Sequence, residues 1–110
     1  MQDPKPTIRR AAQAAIDHLA KELSIEVNGI AVVRAEEVDW PDGSVGCPLA
    51  GMRYKQVIVN GTFVQLRAGN QLYNYHGAGT RAPTLCRSNA EILPESLPRK
   101  PDGGDLRVLR

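Results

Sequence analysis

The sequence predicts an α+β fold, one N-terminal helix packed on a four-stranded antiparallel sheet. Near the start of the chain, "PTIRRAAQAAIDHLAKEL" sets apolar residues at helical spacing. Further on, "YKQVIVNGTFVQLRAGNQLYNYH" strings β-branched and aromatic runs between an Asn-Gly and a Gly-Asn pair. A length of 110 residues suits one domain with a single hydrophobic core. With 42% apolar residues and only 5% aromatic ones, that core has to rest on Val, Leu, Ile and Ala.

Residues 1–6 read as a flexible lead and 7–86 as the domain. Thr7, after Pro6, is placed to cap the helix by accepting a bond from an unpaired backbone N–H. Ile8, Ala12, Ala15, Ile16, Leu19 and Leu23 recur on one face of that helix, with Arg9, Arg10, Gln13, Asp17 and Lys21 on the other. Asn28-Gly29 signals a turn, and "IAVVRAEEVDW" then reads as a strand, with a bulge or frayed edge expected where Arg34, Glu36 and Glu37 break its pattern. "WPDGSVGCP" cannot be regular structure; Trp40, Pro41 and Pro48 read as a rigid corner, the indole capping the core.

Tight turns at Asn60-Gly61 and Gly69-Asn70 predict a three-stranded meander and its register. Val57, Val59, Val64, Leu66, Ala68, Tyr73 and Tyr75 then share the face under the helix. The opposite face carries the rows Tyr54–Arg67–Leu72, Gln56–Gln65–Asn74 and Ile58–Phe63–His76. Leu85-Cys86 returns as a short strand. Residues 87–110, with several prolines and a Gly pair, read as a largely disordered tail.

Function is more thinly written. The formal charge is +2 and the cations are scattered, which argues against a nucleic-acid partner. No apolar run approaches the roughly 18 residues of a membrane helix, so no transmembrane segment is expected. The lead "MQDPKPTIRR" lacks the apolar core of a signal peptide. Cys47 and Cys86 permit either one disulfide or two free thiols. Catalysis at Cys47 requires a base such as His76 beside it, which sequence spacing does not supply. His18, Cys47, His76 and Cys86 have the residue types of a zinc site, but they lie too far apart for its usual ligand spacing. The expectation is therefore no enzyme, no cofactor and no metal.

What remains is the exposed face of the meander. Tyr54, Gln56, Gln65, Arg67, Asn74 and His76 form the candidate surface of a non-enzymatic binding module for an unidentified protein or small ligand. The alternative is a protease inhibitor that uses the Asn60-Gly61 hairpin and the Trp40–Pro48 loop as a wedge.

The set Trp40-Pro41-Asp42, Gly46-Cys47-Pro48, Gly51, Tyr54, Gln56-Val57, Gly61, Leu66, Gly69, Tyr73, Tyr75-His76 and Cys86 resembles a family of small bacterial proteins of uncharacterised function. Many of its members look like exported or periplasmic proteins and lipoproteins. The resemblance implies an extracytoplasmic domain with a Cys47–Cys86 bridge, and brings no known activity. The layout is also similar to the cystatin architecture, although "QVIVNG" sets Gln56 and Gly61 one residue further apart than the cystatin hairpin does.

Overall fold

Helix α1 spans Pro6–Leu23. In the computed structural model, which describes residues 5–97, its N-cap is Lys5 rather than Thr7. Pro6 stands among the first helical residues, where a fixed φ and a missing N–H cost nothing, and this draws Thr7 into the first turn. Ser24 closes the helix in the left-handed conformation, φ 55°, its N–H reaching the carbonyls of Ala20 and Lys21. Ala11, Ala15, Leu19 and Ala20 are buried, with Ala12 and Ile16 beside them. The buried stripe is thus rotated toward the alanines, and Leu23, expected on it, is exposed. Small side chains there let the helix backbone lie close to the sheet.

A short 3-10 turn, Val27–Gly29, leads into β1, Ile30–Trp40. β2 is Val59–Ala68, β3 is Gln71–Ala78 and β4 is Thr84–Leu85. They form a four-stranded antiparallel sheet in the order β1-β2-β3-β4. The register of β1 shifts between Val32 and Arg34, which realises the expected bulge. Gly69 takes φ 62°, as a two-residue hairpin turn with glycine in first place requires. The pairs Ala68 with Gln71, Leu66 with Tyr73 and Val64 with Tyr75 follow as the turn dictates.

The other predicted turn is absent. Asn60 and Gly61 lie inside β2, opposite Asp39 and Val38. The long β1 run takes the partner position that residues 54–59 were expected to fill, and the fourth strand is β4 instead. A different constraint accounts for the glycine: a Cβ at position 61 would collide with the carbonyl of Gly77 and approach Trp40 Cδ1 to 3.0 Å. Gly61 makes room for the indole, which crosses it and donates Nε1–H to Gly77 O at 3.1 Å.

This correction redistributes the faces. Val64, Leu66 and Tyr75 are buried under α1, with Tyr73 and Ala68 packed beside them, as the register predicts. Val57 is 54% exposed, and Val59 joins Val38, Trp40 and Phe63 on the far side of the sheet. That far side is itself a core. The loop after β1 and residues 87–97 cover it, with Val45, Leu93 and Leu97 packed on its aromatic centre. The described part of the stretch expected as a tail is therefore part of the packed structure; residues 98–110 of that expectation lie outside the described residues.

Candidate functional site

Residues 41–58 connect β1 to β2, and their ends meet because Trp40 pairs with Val59. Connections this long in a small domain are usually put to use. Several local bonds fix the base of the loop. Asp42 accepts from the backbone N–H and the hydroxyl of Ser44, at 2.8 and 2.6 Å, an Asx-type turn that holds its carboxyl below the usual carboxylate range. Gly43 N–H donates to Lys55 O at 2.8 Å, joining the two limbs. Val45 and Gly46 take positive φ, 49° and 78°, and tuck the chain inward. Glycine is required at 46, since a Cβ there would strike the Trp40 ring and crowd His76 Nδ1 at 3.0 Å.

From this base the loop is tied outward. Cys47 is disulfide-bonded to Cys86, just beyond β4, with their Cα atoms 5.8 Å apart. Ser88 Oγ donates to Pro48 O, and Ile92 N–H to Gly46 O at 2.8 Å. Beyond Pro48 the loop turns to solvent. Leu49, Met52, Val57 and Ile58 are 52%, 60%, 54% and 72% exposed. Arg53 and Lys55 lie among them, and no carboxylate occurs between Gly43 and Ile58. The Tyr54 hydroxyl accepts from Leu49 N–H at 3.1 Å, and Gln56 Nε2 donates to Tyr54 O at 3.3 Å, so the tip is internally braced.

Beneath the loop lies a buried polar cluster. His76 is 1% exposed, stacked on Trp40 at 4.7 Å between centroids and set edge-on to Phe63 at 5.3 Å. Its Nδ1 lies 2.7 Å from Val45 O and its Nε2 2.6 Å from Glu91 Oε2. A carbonyl can only accept, so Nδ1 carries the hydrogen donated to Val45 O, and Nε2 faces the carboxylate. The other Glu91 oxygen accepts from Asn74 Nδ2 at 3.2 Å, and Asn74 Oδ1 accepts from Gln65 Nε2 at 2.9 Å. The chain of contacts thus runs from Gln65 through Asn74 and Glu91 to His76. Arg34 borders it, lying 4.8 Å above the Phe63 ring and bonding Glu95 at 2.6 Å, which lowers the Glu95 carboxyl's pKa.

The six residues expected on one exposed face are therefore divided. Gln65, Asn74 and His76 come together, but under residues 87–97, because Glu91 reaches in from that segment. Tyr54 and Gln56 belong to the loop. Arg67 is exposed beside the Gly69-Asn70 turn, at the other end of β2. His18, on α1, bonds the Tyr75 hydroxyl at 2.8 Å on the opposite side of the sheet, and burial pushes that phenol's pKa up to about 12. The Asn60-Gly61 half of the predicted wedge sits within β2, so the loop alone projects at that end. Sequence reasoning missed Glu91; its one signal was the apolar content of "ILPESL", which a disordered tail does not need.

A cleft of about 320 Å³ opens between Thr7, Glu37, Asp39, Asn60 and Thr80, and among the described residues its lining holds no histidine, cysteine or lysine. Among the described residues no helix is long and apolar enough to cross a membrane.

The chain belongs to the family described as Domain of unknown function (DUF8738), whose model matches residues 12–86. That span runs from the first turns of α1 to the second cysteine of the disulfide. No curated protein and no solved structure matches the chain.

Proposed function

We propose that the chain is a non-enzymatic binding module that presents the tip of the 41–58 loop to an apolar, acidic surface on a partner protein. The observation that carries this reading is the exposure of Leu49, Met52, Val57 and Ile58, at 52–72%, on a loop whose base is held by a disulfide and a strand pair. Large apolar side chains clustered at a surface cost free energy until covered, and covering the exposed half of one is worth about 1 kcal/mol. Arg53 and Lys55, with no carboxylate nearby in the loop, favour acidic residues opposite. Because the loop is already braced through Tyr54 and Gln56, little of the gain is lost to ordering it. These two residues of the expected binding set keep a role on this surface. Gln65, Asn74 and His76 act beneath it, as the floor on which the loop rests.

The same features favour protease inhibition as a second reading, in which Leu49–Ile58 enters an enzyme cleft. A photo-reactive side chain at Met52 or Ile58, with Gln13 on the exposed face of α1 as control, should cross-link a partner from the loop positions only. With that partner purified, M52D and I58D should each raise Kd by about tenfold. Equal cross-linking from Gln13, or an unchanged Kd, removes the proposal. Inhibition of a papain-like or subtilisin-like protease that I58D abolishes assigns the second reading instead.

A further inference from the structure

We propose that reduction of the Cys47–Cys86 disulfide creates a zinc site, with the two cysteine thiolates, His76 and Glu91 as its four ligands. A ring nitrogen of His76, Sγ of Cys86 and a carboxylate oxygen of Glu91 already lie within 4.8 Å of one another. Cys47 Sγ is bonded to Cys86 Sγ and is the nearest further sulfur, a fourth ligand that would swing in once the S–S bond is broken. A tetrahedral zinc ion holds sulfur at about 2.3 Å and nitrogen or oxygen at about 2.0–2.2 Å, which sets its ligand atoms some 3–4 Å apart. His76, Cys86 and Glu91 already stand near that spacing, and rotation of the freed Cys47 side chain would complete the tetrahedron.

The surroundings are those of a prepared ligand set. A histidine that binds a metal through one nitrogen usually donates the other N–H to a carbonyl or carboxylate, which fixes the ring and its tautomer. His76 does this: Nδ1 bonds Val45 O at 2.7 Å, and Nε2 is left pointing at Glu91. The ring cannot swing away, being stacked on Trp40 and set against Phe63. Glu91 is held in turn by Asn74 through its other oxygen, which turns Oε2 toward His76. The ligands come from the β1–β2 loop, β3, the residue after β4 and the 87–97 segment. A metal there would join the same pieces that the disulfide joins.

The chemistry balances. A dithiol gives two electrons and two protons to the S–S bond and closes to its own disulfide. A phosphine gives the two electrons, takes the oxygen of a water molecule to become a phosphine oxide and leaves that water's two protons on the sulfurs. Either way the product is two thiols. Zinc then binds the two sulfurs as thiolates, with release of both thiol protons. In the oxidised protein the sulfurs are bonded to each other and neither is available as a thiolate. Zinc affinity is therefore tied to redox state, whatever partner the loop meets.

The test uses the full chain, reduced with a phosphine and titrated with cobalt(II) and then zinc under exclusion of air. One cobalt per chain should bind, with the intense visible bands of a tetrahedral ion and a thiolate charge-transfer band in the near ultraviolet. Zinc should displace it. The oxidised protein should bind on the order of a hundredfold more weakly or not at all. E91Q keeps a hydrogen-bonding group beside His76, and its oxidised form should melt as a folded domain. Its reduced form should bind cobalt about tenfold to a hundredfold more weakly. Zinc should also raise the melting temperature of the reduced wild-type chain. Cobalt binding without thiolate bands, equal binding by oxidised protein, or unchanged affinity in E91Q overturns the proposal.

Discussion

A methyl group added at position 61 would land on the carbonyl of Gly77, and neither strand can retreat without losing its ladder. Gly61→Ala is therefore expected to cost about 2–3 kcal/mol, read as a fall in the urea midpoint at constant slope. Gly51→Ala meets nothing within 4 Å and bears only the strain of φ 83°, about 1 kcal/mol. Trp40→Phe keeps most of the packing but removes the N–H that bonds Gly77 O, for an expected loss of about 1–2 kcal/mol. Asp42 supplies a pH signature. Its pKa is lowered in the folded state by the Ser44 hydroxyl and N–H, so its contribution is complete above the unfolded-state pKa and is lost as pH falls through the folded value. Solvent screening limits that contribution to about 1 kcal/mol at most. Asp42→Asn should lose up to about 1 kcal/mol at neutral pH and change little near pH 2, flattening the acid limb of the stability curve, which urea melts between pH 2 and 7 would resolve.

At the scale of elements, the 87–97 segment acts as a cover rather than a tail. Leu93 and Leu97 pack on the Trp40–Phe63 cluster, and Glu91 meets His76. Leu93→Ser with Leu97→Ser should cost about 3 kcal/mol or more and uncover enough apolar surface to bind a fluorescent hydrophobic dye. The disulfide spans 39 residues of sequence, and in the chain-entropy model its reduction in metal-free buffer should cost about 4 kcal/mol. These elements were unequally legible in the sequence. Helical spacing marked out α1, and the Gly69-Asn70 turn set the register of β2 against β3, because both signals are local. Asn60-Gly61 misled because an Asn-Gly pair marks positions where a side chain is unwelcome as readily as it marks a turn. Here the reason was the carbonyl of Gly77 on the neighbouring strand and the Trp40 indole bonded to it, which no local pattern contains. His76 was placed on the correct face, but its partner Glu91 lay in a stretch without periodicity, so the site looked open when it was closed.

The whole molecule is a sheet covered on both sides, by a helix on one and by irregular chain on the other. β2 is flanked by β1 and β3, and residues 61–64 are buried. Amides of β2 should exchange with solvent only on global unfolding, whereas those of 49–58 should exchange fast, as deuterium uptake resolved by peptide would show. The outer edge of β1 carries a bulge and the charges of Arg34, Glu36 and Glu37, features that discourage edge-to-edge pairing. That separation of labour has a practical meaning at the Trp40–Val59 pair. Because the two ends of the connection are already neighbours in the ladder, and Cys47 is bonded to Cys86, the sequence between Pro48 and Val57 can be rewritten or lengthened without altering how the strands align. The fold is in that sense a display frame, and peptides of foreign sequence grafted into this interval should be carried without disturbing its host.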